Sequence, residues 1–321
     1  MRKRFWKKYG YGLLVAIGIT FFTGYVLLDV FVIPRAIAPV ETRFKDDEQT
    51  LLSYEVNQDD HASSDVVAPS SYEEIMVSEP IITEKSYQDE RMTITISTYR
   101  VNETDIYVAD IVVQSPELLQ TALADDTYGR NITQTTSQIA DAHDAILAVN
   151  GDFYGARSKG YVIRNGVLYR STSAGNEDLV IFGDGSMEIV SEKEVTAKEL
   201  LERGAVQVLS FGPALLEDGE LSVGVKDEVG KAMASNPRTA FGLVEENHYV
   251  FVVSDGRTSQ STGLSLYELA EFMQGIGVKT AYNLDGGGSS TMYFMGTVVN
   301  NPTTGGKKTK ERSVSDILYV G

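Results

Sequence analysis

The sequence predicts an α+β fold of mixed, largely antiparallel sheets flanked by helices, preceded by one N-terminal transmembrane helix and an acidic stalk. Three observations carry that expectation. Strand-like segments follow one another through hairpin signals such as Asn165-Gly166, and helical patterns interrupt them only occasionally. An apolar run over residues 13–33 has about the length that crosses a hydrocarbon core. From residue 40 to about 86 the chain is acidic and rich in Ser, Asp and Glu without a sustained apolar period. Such a segment buries too little surface to offset the entropy of ordering.

The chain therefore divides into a basic tail (1–12), a membrane anchor (13–33), a stalk (34–86) and a folded domain (87–321). The tail carries Arg2, Lys3, Arg4, Lys7 and Lys8 with no acid. Removing those five charges from the formal net charge of −17 leaves the rest of the chain at −22. Positive charge ahead of the apolar run puts the tail in the cytoplasm and the domain outside a cell membrane crossed once. Ala36-Ile37-Ala38 has the form of a signal-cleavage site. The apolar run, however, exceeds the roughly 7–15 residues of a signal core, and Pro39 follows the cut, so an uncleaved anchor is preferred. The acidic balance gives no electrostatic case for nucleic acid. With no cysteine, disulfides and thiolate metal sites are excluded.

Within the domain, Met92, Ile94 and Ile96 alternate with Thr93, Thr95 and Ser97 at the two-residue period of a half-buried strand, and a second strand follows over 105–114. Residues 116–124 read as a short helix with Pro116 in its first turn, and 135–143 as another leading into a buried strand, 145–149. Hairpins follow over 161–170, turning at Asn165-Gly166, and over 179–190, turning at Gly183-Asp184-Gly185. Next come a helix (196–202), strands at 206–210, 239–244 and 249–254, a helix (266–274) and a strand (280–284).

Five segments rich in Gly, Asp, Asn and Arg fall at the ends of these strands, where a rigid scaffold presents its functional groups. They are Asn150-Gly151-Asp152-Phe153-Tyr154, Ser210-Phe211-Gly212-Pro213-Ala214, Asn236-Pro237-Arg238-Thr239-Ala240, Asp255-Gly256-Arg257, and the run from Asn283 through Gly286, Gly287 and Gly288 to Ser289, Ser290 and Thr291. Taken singly, the first four are explained as turns with solvated charges. Three consecutive glycines after a strand are harder to explain by packing, because each adds unfolded-state entropy and no side chain. They permit close approach of backbone amides to an anion. No Lys follows in the manner of a GxxxxGK[ST] loop, so nucleotide binding is a poor second reading. His61, His143 and His248 have no neighbours that make a triad or a zinc site.

In order, NGDFY, SFGPAL, NPRTA, SDGR, GLSLYELA, NLDGGGSSTM and ERSVSDIL resemble the motifs of the phosphodiester glycosidase family, over about residues 91–321. Ser313 stands where relatives often have Pro. The resemblance implies hydrolysis of a sugar 1-phosphodiester in a surface polysaccharide or glycopolymer. On that reading Asp285 is the catalytic carboxylate, with Asp152 or Asp255 as its partner. Arg238, Arg257 and the amides of Gly286–Gly288 hold the phosphate, while Asn150, Asn283, Ser289, Ser290 and Thr291 read sugar hydroxyls or phosphate oxygens. Glu311 and Arg312 close the site from the last strand. A non-catalytic polymer-binding protein and a glycosyl-transferring remodelling enzyme are the alternatives. No cofactor and no obligatory metal are expected, since no ligand spacing matches a calcium loop. Activity is accordingly expected to survive EDTA; its abolition, restored by added metal, would refute this.

Overall fold

The computed structural model describes residues 2–42, 79–227 and 235–321. The first element is a long helix, α1 (Arg2–Phe31), so the basic tail and the apolar run share one continuous rod. Its span Leu14–Phe31 is long and apolar enough to cross a membrane and is not buried by the rest of the chain.

The two ends of the acidic segment are built into the domain. Arg35–Ala36 pairs with Gly129–Arg130, and Glu41–Thr42 adds to the edge of Val167–Arg170. Asn131 also donates from Nδ2 to the carbonyls of Val30 and Ile33 at the end of α1. Farther on, Ile81–Ile82 and Ser86–Gln88 form outer strands of the largest sheet. An edge strand is held by backbone hydrogen bonds and needs little apolar patterning, so composition gives no warning of it. The middle of the expected stalk, with His61, lies outside the described residues.

Among the described residues the largest sheet has nine strands. It runs in space from Glu220–Leu221 through Ala214–Glu217, Thr280–Asn283, Arg238–Glu245, His248–Ser254, Thr104–Val113 and Met92–Val101 to Ser86–Gln88 and Ile81–Ile82, each neighbour antiparallel. Its central strands separate two cores by simple alternation. Tyr249, Phe251 and Val253, with Ala109, Ile111 and Val113, face one core. Val250 and Val252, with Ile106 and Val108, face the other. This explains why Val250–Val253 reads as an uninterrupted apolar run. Each such buried side chain contributes about 1.5–3 kcal/mol.

The second core is closed by α4 (Leu266–Gly275) through Leu266, Leu269, Ala270 and Met273. The first core is closed by a five-stranded sheet ordered Thr297–Val298, Met292–Phe294, Leu147–Asn150, Asp316–Val320 and Leu119–Leu123. The outer face of that sheet carries α2 (Thr136–Ala142) through Ile139 and Ala140. A six-stranded sheet, ordered Met187–Ser191, Glu177–Phe182, Ala205–Leu209, Val162–Arg164, Val167–Arg170 and Glu41–Thr42, packs α3 (Ala197–Glu202) through Leu200 and Leu201. Capping boxes start all three short helices: Thr135 with Gln138, Thr196 with Glu199, and Ser265 with Glu268. The α+β architecture expected from the sequence is therefore present.

One expected element is different. Residues 116–124 are not a helix: Pro116–Leu118 makes a single 3₁₀ turn, and Leu119–Leu123 is a strand paired with Asp316–Val320. Leu119 enters the first core and Ala122 the layer beneath α2, so the two faces of the strand are both buried and tertiary pairing overrides local propensity.

Within the six-stranded sheet, Asp178 is fully buried and neither of its carboxylate oxygens has a hydrogen-bond partner among the described residues. Burial, and then the nearby Glu192 carboxylate, push its pKa up to about 9 from 3.8. A folded-state value above the unfolded one means that the folded chain binds this proton more tightly. Its contribution is fully present below about pH 4 and is lost as pH rises toward 9. The Tm of the wild type is therefore expected to fall between pH 5 and 9 more steeply than that of Asp178→Asn, and equal slopes would refute the assignment.

Candidate active site

Four chain segments meet at the ends of the first-core strands. Leu147–Asn150 delivers the loop beginning Gly151-Asp152, Thr280–Asn283 delivers the glycine turn, Arg238–Glu245 starts beside that turn, and residues 302–315 approach the last strand, Asp316–Val320. Two bonds stitch the first pair together: Asn150 Nδ2 donates to the Asp285 carbonyl at 2.6 Å, and the Asp285 amide to the Gly151 carbonyl at 3.3 Å.

The glycine turn is glycine because three sides of it are occupied. A Cβ on Gly286 would lie 2.8 Å from the Pro237 carbonyl, and one on Gly288 2.3 Å from Thr304 Oγ1. Gly287 has φ +64°, and a Cβ there would lie 2.8 Å from Arg257 Nη2. The turn does not present the full set of amides expected of an anion nest, since the Gly287 amide already donates to the Pro237 carbonyl at 2.8 Å. Close packing accounts for the glycine at each of the three positions.

What the turn does position is Asp285. Its carboxylate accepts from Ser289 Oγ and from Arg312 Nη2, both at 2.7 Å. Arg312 Nε also donates to Ser289 Oγ at 2.8 Å, and its Nη2 to the Gly286 carbonyl at 3.2 Å. The Asp285 side chain is 12% exposed and that of Arg312 39%, so the pair reaches from the floor of the site to solvent.

Asp152 is locked from below. Its Oδ1 accepts from the Tyr154 amide at 2.6 Å, and its Oδ2 from Arg164 Nη2 at 2.9 Å and the Ser210 amide at 3.2 Å. Arg164, 2% exposed, also donates from Nε to Asp316 Oδ2 at 2.8 Å and from Nη1 to the carbonyls of Ile163 and Val208. Two carboxylates thus share one buried guanidinium. Burial accordingly raises the Asp316 pKa to about 7, against the opposing pull of Arg164. A Cβ on Gly151 would fall 2.4 Å from Asp316 Oδ1, which is the local reason for a glycine there.

Asp152 and Asp285 line the same pocket, a cavity of about 70 Å³ that also includes Phe153, Asn131 and Ser313. Ser313 lines a second cavity as well, of about 700 Å³, together with Thr304, Lys307, Lys308, Lys310 and Arg312. Arg257 lies beside the turn. Its Nε and Nη2 donate to Asn236 Oδ1 at 3.2 and 3.0 Å, and its Nη1 to the Thr304 carbonyl at 2.7 Å. Burial, and then the positive charge of Arg312, push the Arg257 pKa down. An anion brought between the two guanidinium groups would relieve that repulsion.

The other residues singled out from the sequence hold the scaffold in this structure. Asn150 is fully buried and accepts from Thr239 Oγ1 at 2.7 Å and the Thr291 amide at 3.3 Å. Asn283 donates to the Gly212 carbonyl at 2.8 Å, and Ser290 and Thr291 are buried beneath the turn. Arg238, only 3% exposed, donates from Nε to the Leu264 carbonyl at 2.9 Å. Asp255 accepts from the Asn301 amide at 2.8 Å, from Asn301 and Asn300 Nδ2 at 2.9 and 3.2 Å, and from Tyr107, whose hydroxyl is pushed up to about 12 by burial and by that carboxylate. It does not line the cavity that holds Asp152 and Asp285. Glu311 turns away to accept from the Ser137 amide and hydroxyl in the first turn of α2.

The family model described as "Phosphodiester glycosidase" matches residues 143–321, more than half of the chain and every segment of this site. The chain belongs to the phosphodiester glycosidase family. Among relatives, it is 31% identical over 201 residues to the SPbeta prophage-derived uncharacterized protein YomE of Bacillus subtilis, covering 60% of this chain and 30% of that one. It is 32% identical over 188 residues to human N-acetylglucosamine-1-phosphodiester alpha-N-acetylglucosaminidase, covering 53% and 36%. The chain thus spans about a third of the length of these curated relatives. The catalytic domain of zebrafish N-acetylglucosamine-1-phosphodiester alpha-N-acetylglucosaminidase, auto-inhibited by its pro-peptide, superposes with a TM-score of 0.57 at 22% identity, covering 71% of this chain and 82% of that one, a likeness of fold. A hypothetical protein from Synechocystis gives a TM-score of 0.51 at 15% identity, over 72% and 62%.

Removing the shared guanidinium leaves two buried carboxylates uncompensated. Arg164→Ala is expected to lose about 3–5 kcal/mol in urea denaturation, with Arg164→Lys recovering part of it. A loss under about 1 kcal/mol would show that the cluster does not hold the site.

Proposed function

We propose that this chain is a membrane-anchored, extracytoplasmic glycosidase that hydrolyses sugar 1-phosphodiester linkages in a cell-surface polysaccharide or glycopolymer. The observation that carries the reading is the Asp285–Arg312 pair. It sets a carboxylate in the small pocket and a guanidinium on the wall of the adjoining larger one. A substrate with one glycosyl and one phosphoryl half requires that juxtaposition. Membership of the phosphodiester glycosidase family and the naming of its human relative support the same substrate class.

The chemistry follows from the groups present. The bond broken joins the anomeric carbon to a phosphate oxygen, and the product is a phosphate monoester with a second pKa near 6. Such a leaving group needs charge stabilisation more than it needs a general acid. Arg312 and Arg257 supply it in a site partly withdrawn from water. Asp285 faces the developing positive charge at the anomeric carbon, and Asp152 is the second carboxylate of the pocket. Water adds its hydroxyl to that carbon, and its proton passes through the activating carboxylate to solvent. Phe153, whose ring is exposed at the rim of the small pocket, offers an apolar face to the sugar. Anchoring is supported by α1 and its basic start.

The full chain, assayed in detergent with methyl N-acetylglucosamine 1-phosphate diester, is expected to release free sugar. Asp285→Ala should lower kcat roughly 10³-fold while the fold is retained. Undiminished turnover in that variant would refute the assignment. Tight binding with no product across several sugars would instead favour a polymer-binding protein.

A further inference from the structure

The approach to the last strand carries three lysines that hydrolysis of a single linkage does not use. Residues 303–312 hold Lys307, Lys308, Lys310 and Arg312 against one acid, in a chain whose formal net charge is −17. That acid, Glu311, is committed to the first turn of α2. The three lysines are exposed, and none is paired with a carboxylate among the described residues.

The loop that carries them is fixed to the site. The Lys310 amide donates to the Pro302 carbonyl at 2.7 Å, Arg257 Nη1 to the Thr304 carbonyl at 2.7 Å, and the Arg312 amide to the Gly288 carbonyl at 3.1 Å. The lysines line the cavity of about 700 Å³, ten times the volume of the pocket holding Asp285, and Ser313 is common to both. The small pocket has room for the reacting group alone. The larger one has the size of a full ligand cleft. A strongly acidic protein repels a polyanion at long range, so a local positive shelf leading to the reactive carboxylate selects where such a chain can land.

We propose that this lysine shelf is a subsite for the anionic continuation of the substrate, and that the substrate is a polymer with repeating phosphodiester charges rather than an isolated sugar phosphodiester. The proposal rests on the hydrolytic reading of the Asp285 site. The phosphate next to the scissile bond meets Arg312 and Arg257, and the phosphates beyond it meet Lys307, Lys308 and Lys310.

The test compares the methyl diester with a short oligo(N-acetylglucosamine 1-phosphate), using the full chain in detergent. At low salt the oligomer is expected to show a KM about tenfold lower, the combined worth of three exposed ion pairs, and the advantage should shrink at high salt. The triple variant Lys307→Gln, Lys308→Gln, Lys310→Gln should erase that advantage while changing the KM of the methyl diester less than about twofold. Equal KM values in the wild type, or an advantage that survives the triple substitution, overturns the proposal. A calorimetric Kd for the oligomer, measured in Asp285→Ala with and without the lysine substitutions, separates this from failure of the hydrolytic reading. Absent turnover with a Kd weakened about tenfold by the substitutions removes the hydrolase and keeps the shelf; an unchanged Kd removes the shelf. Soluble dioctanoyl phosphatidylglycerol is the second ligand, and a lysine-dependent Kd for it without one for the oligomer assigns the loop to lipid headgroups and overturns the polymer.

Discussion

One guanidinium, that of Arg164, ties together the parts on which the site depends. It sits on the strand Val162–Arg164 of the six-stranded sheet and reaches Asp316, which opens the last strand of the five-stranded sheet, and Asp152, in the loop that follows Leu147–Asn150. Its Nη1 donates to backbone carbonyls on its own sheet. Two layers and a candidate catalytic carboxylate are therefore held by a single charge with almost no access to water. In such surroundings each partner is costly to leave unmatched, so the geometry is specified more sharply than apolar packing alone would specify it.

Above that foundation the site has a directional design. Asp152 is immobilised by two amides and Arg164, whereas Asp285 is held by a hydroxyl and an arginine that is itself part exposed. The more accessible acid lies closer to the cationic side, where Arg312 and Arg257 disfavour one another until an anion arrives. On the proposed reading, binding energy from a phosphate is realised next to the carbon that reacts.

Much of this organisation is legible in the chain. The capping pairs Thr135/Gln138, Thr196/Glu199 and Ser265/Glu268 start the short helices, and Asn165-Gly166 turns its hairpin with both residues at positive φ. The helix expected over 116–124 failed because nothing local reveals a strand partner almost 200 residues away. Of the site, Asp152, Asp285 and Arg257 are visible as strand-end residues and Arg312 through the motif ERSVSDIL, and the four do gather. Asn150, Asn283 and Arg238 were visible for the same reason and instead tie the backbone together beneath them. Arg164 was missed because an arginine just before a hairpin turn reads as solvated, and its partners lie 12 and 152 positions away. Asp316 was missed because it follows Ser315 inside an apolar strand with no turn signal of its own. Phe153 carried a signal that went unused, an aromatic next to an acid in a loop.

The crowded glycine turn has one more consequence. Gly286, Gly287 and Gly288 abut Pro237, Arg257 and Thr304 so closely that no side chain can be grafted there without displacing a neighbour. Variation in what this scaffold admits has to be written elsewhere on the rim, at Phe153 and over positions 307–310, where side chains are exposed. Attempts to retune selectivity by diversifying the most conspicuous motif would therefore sample mostly broken proteins, while libraries confined to Phe153 and positions 307–310 would leave Asp285 and Arg312 in place.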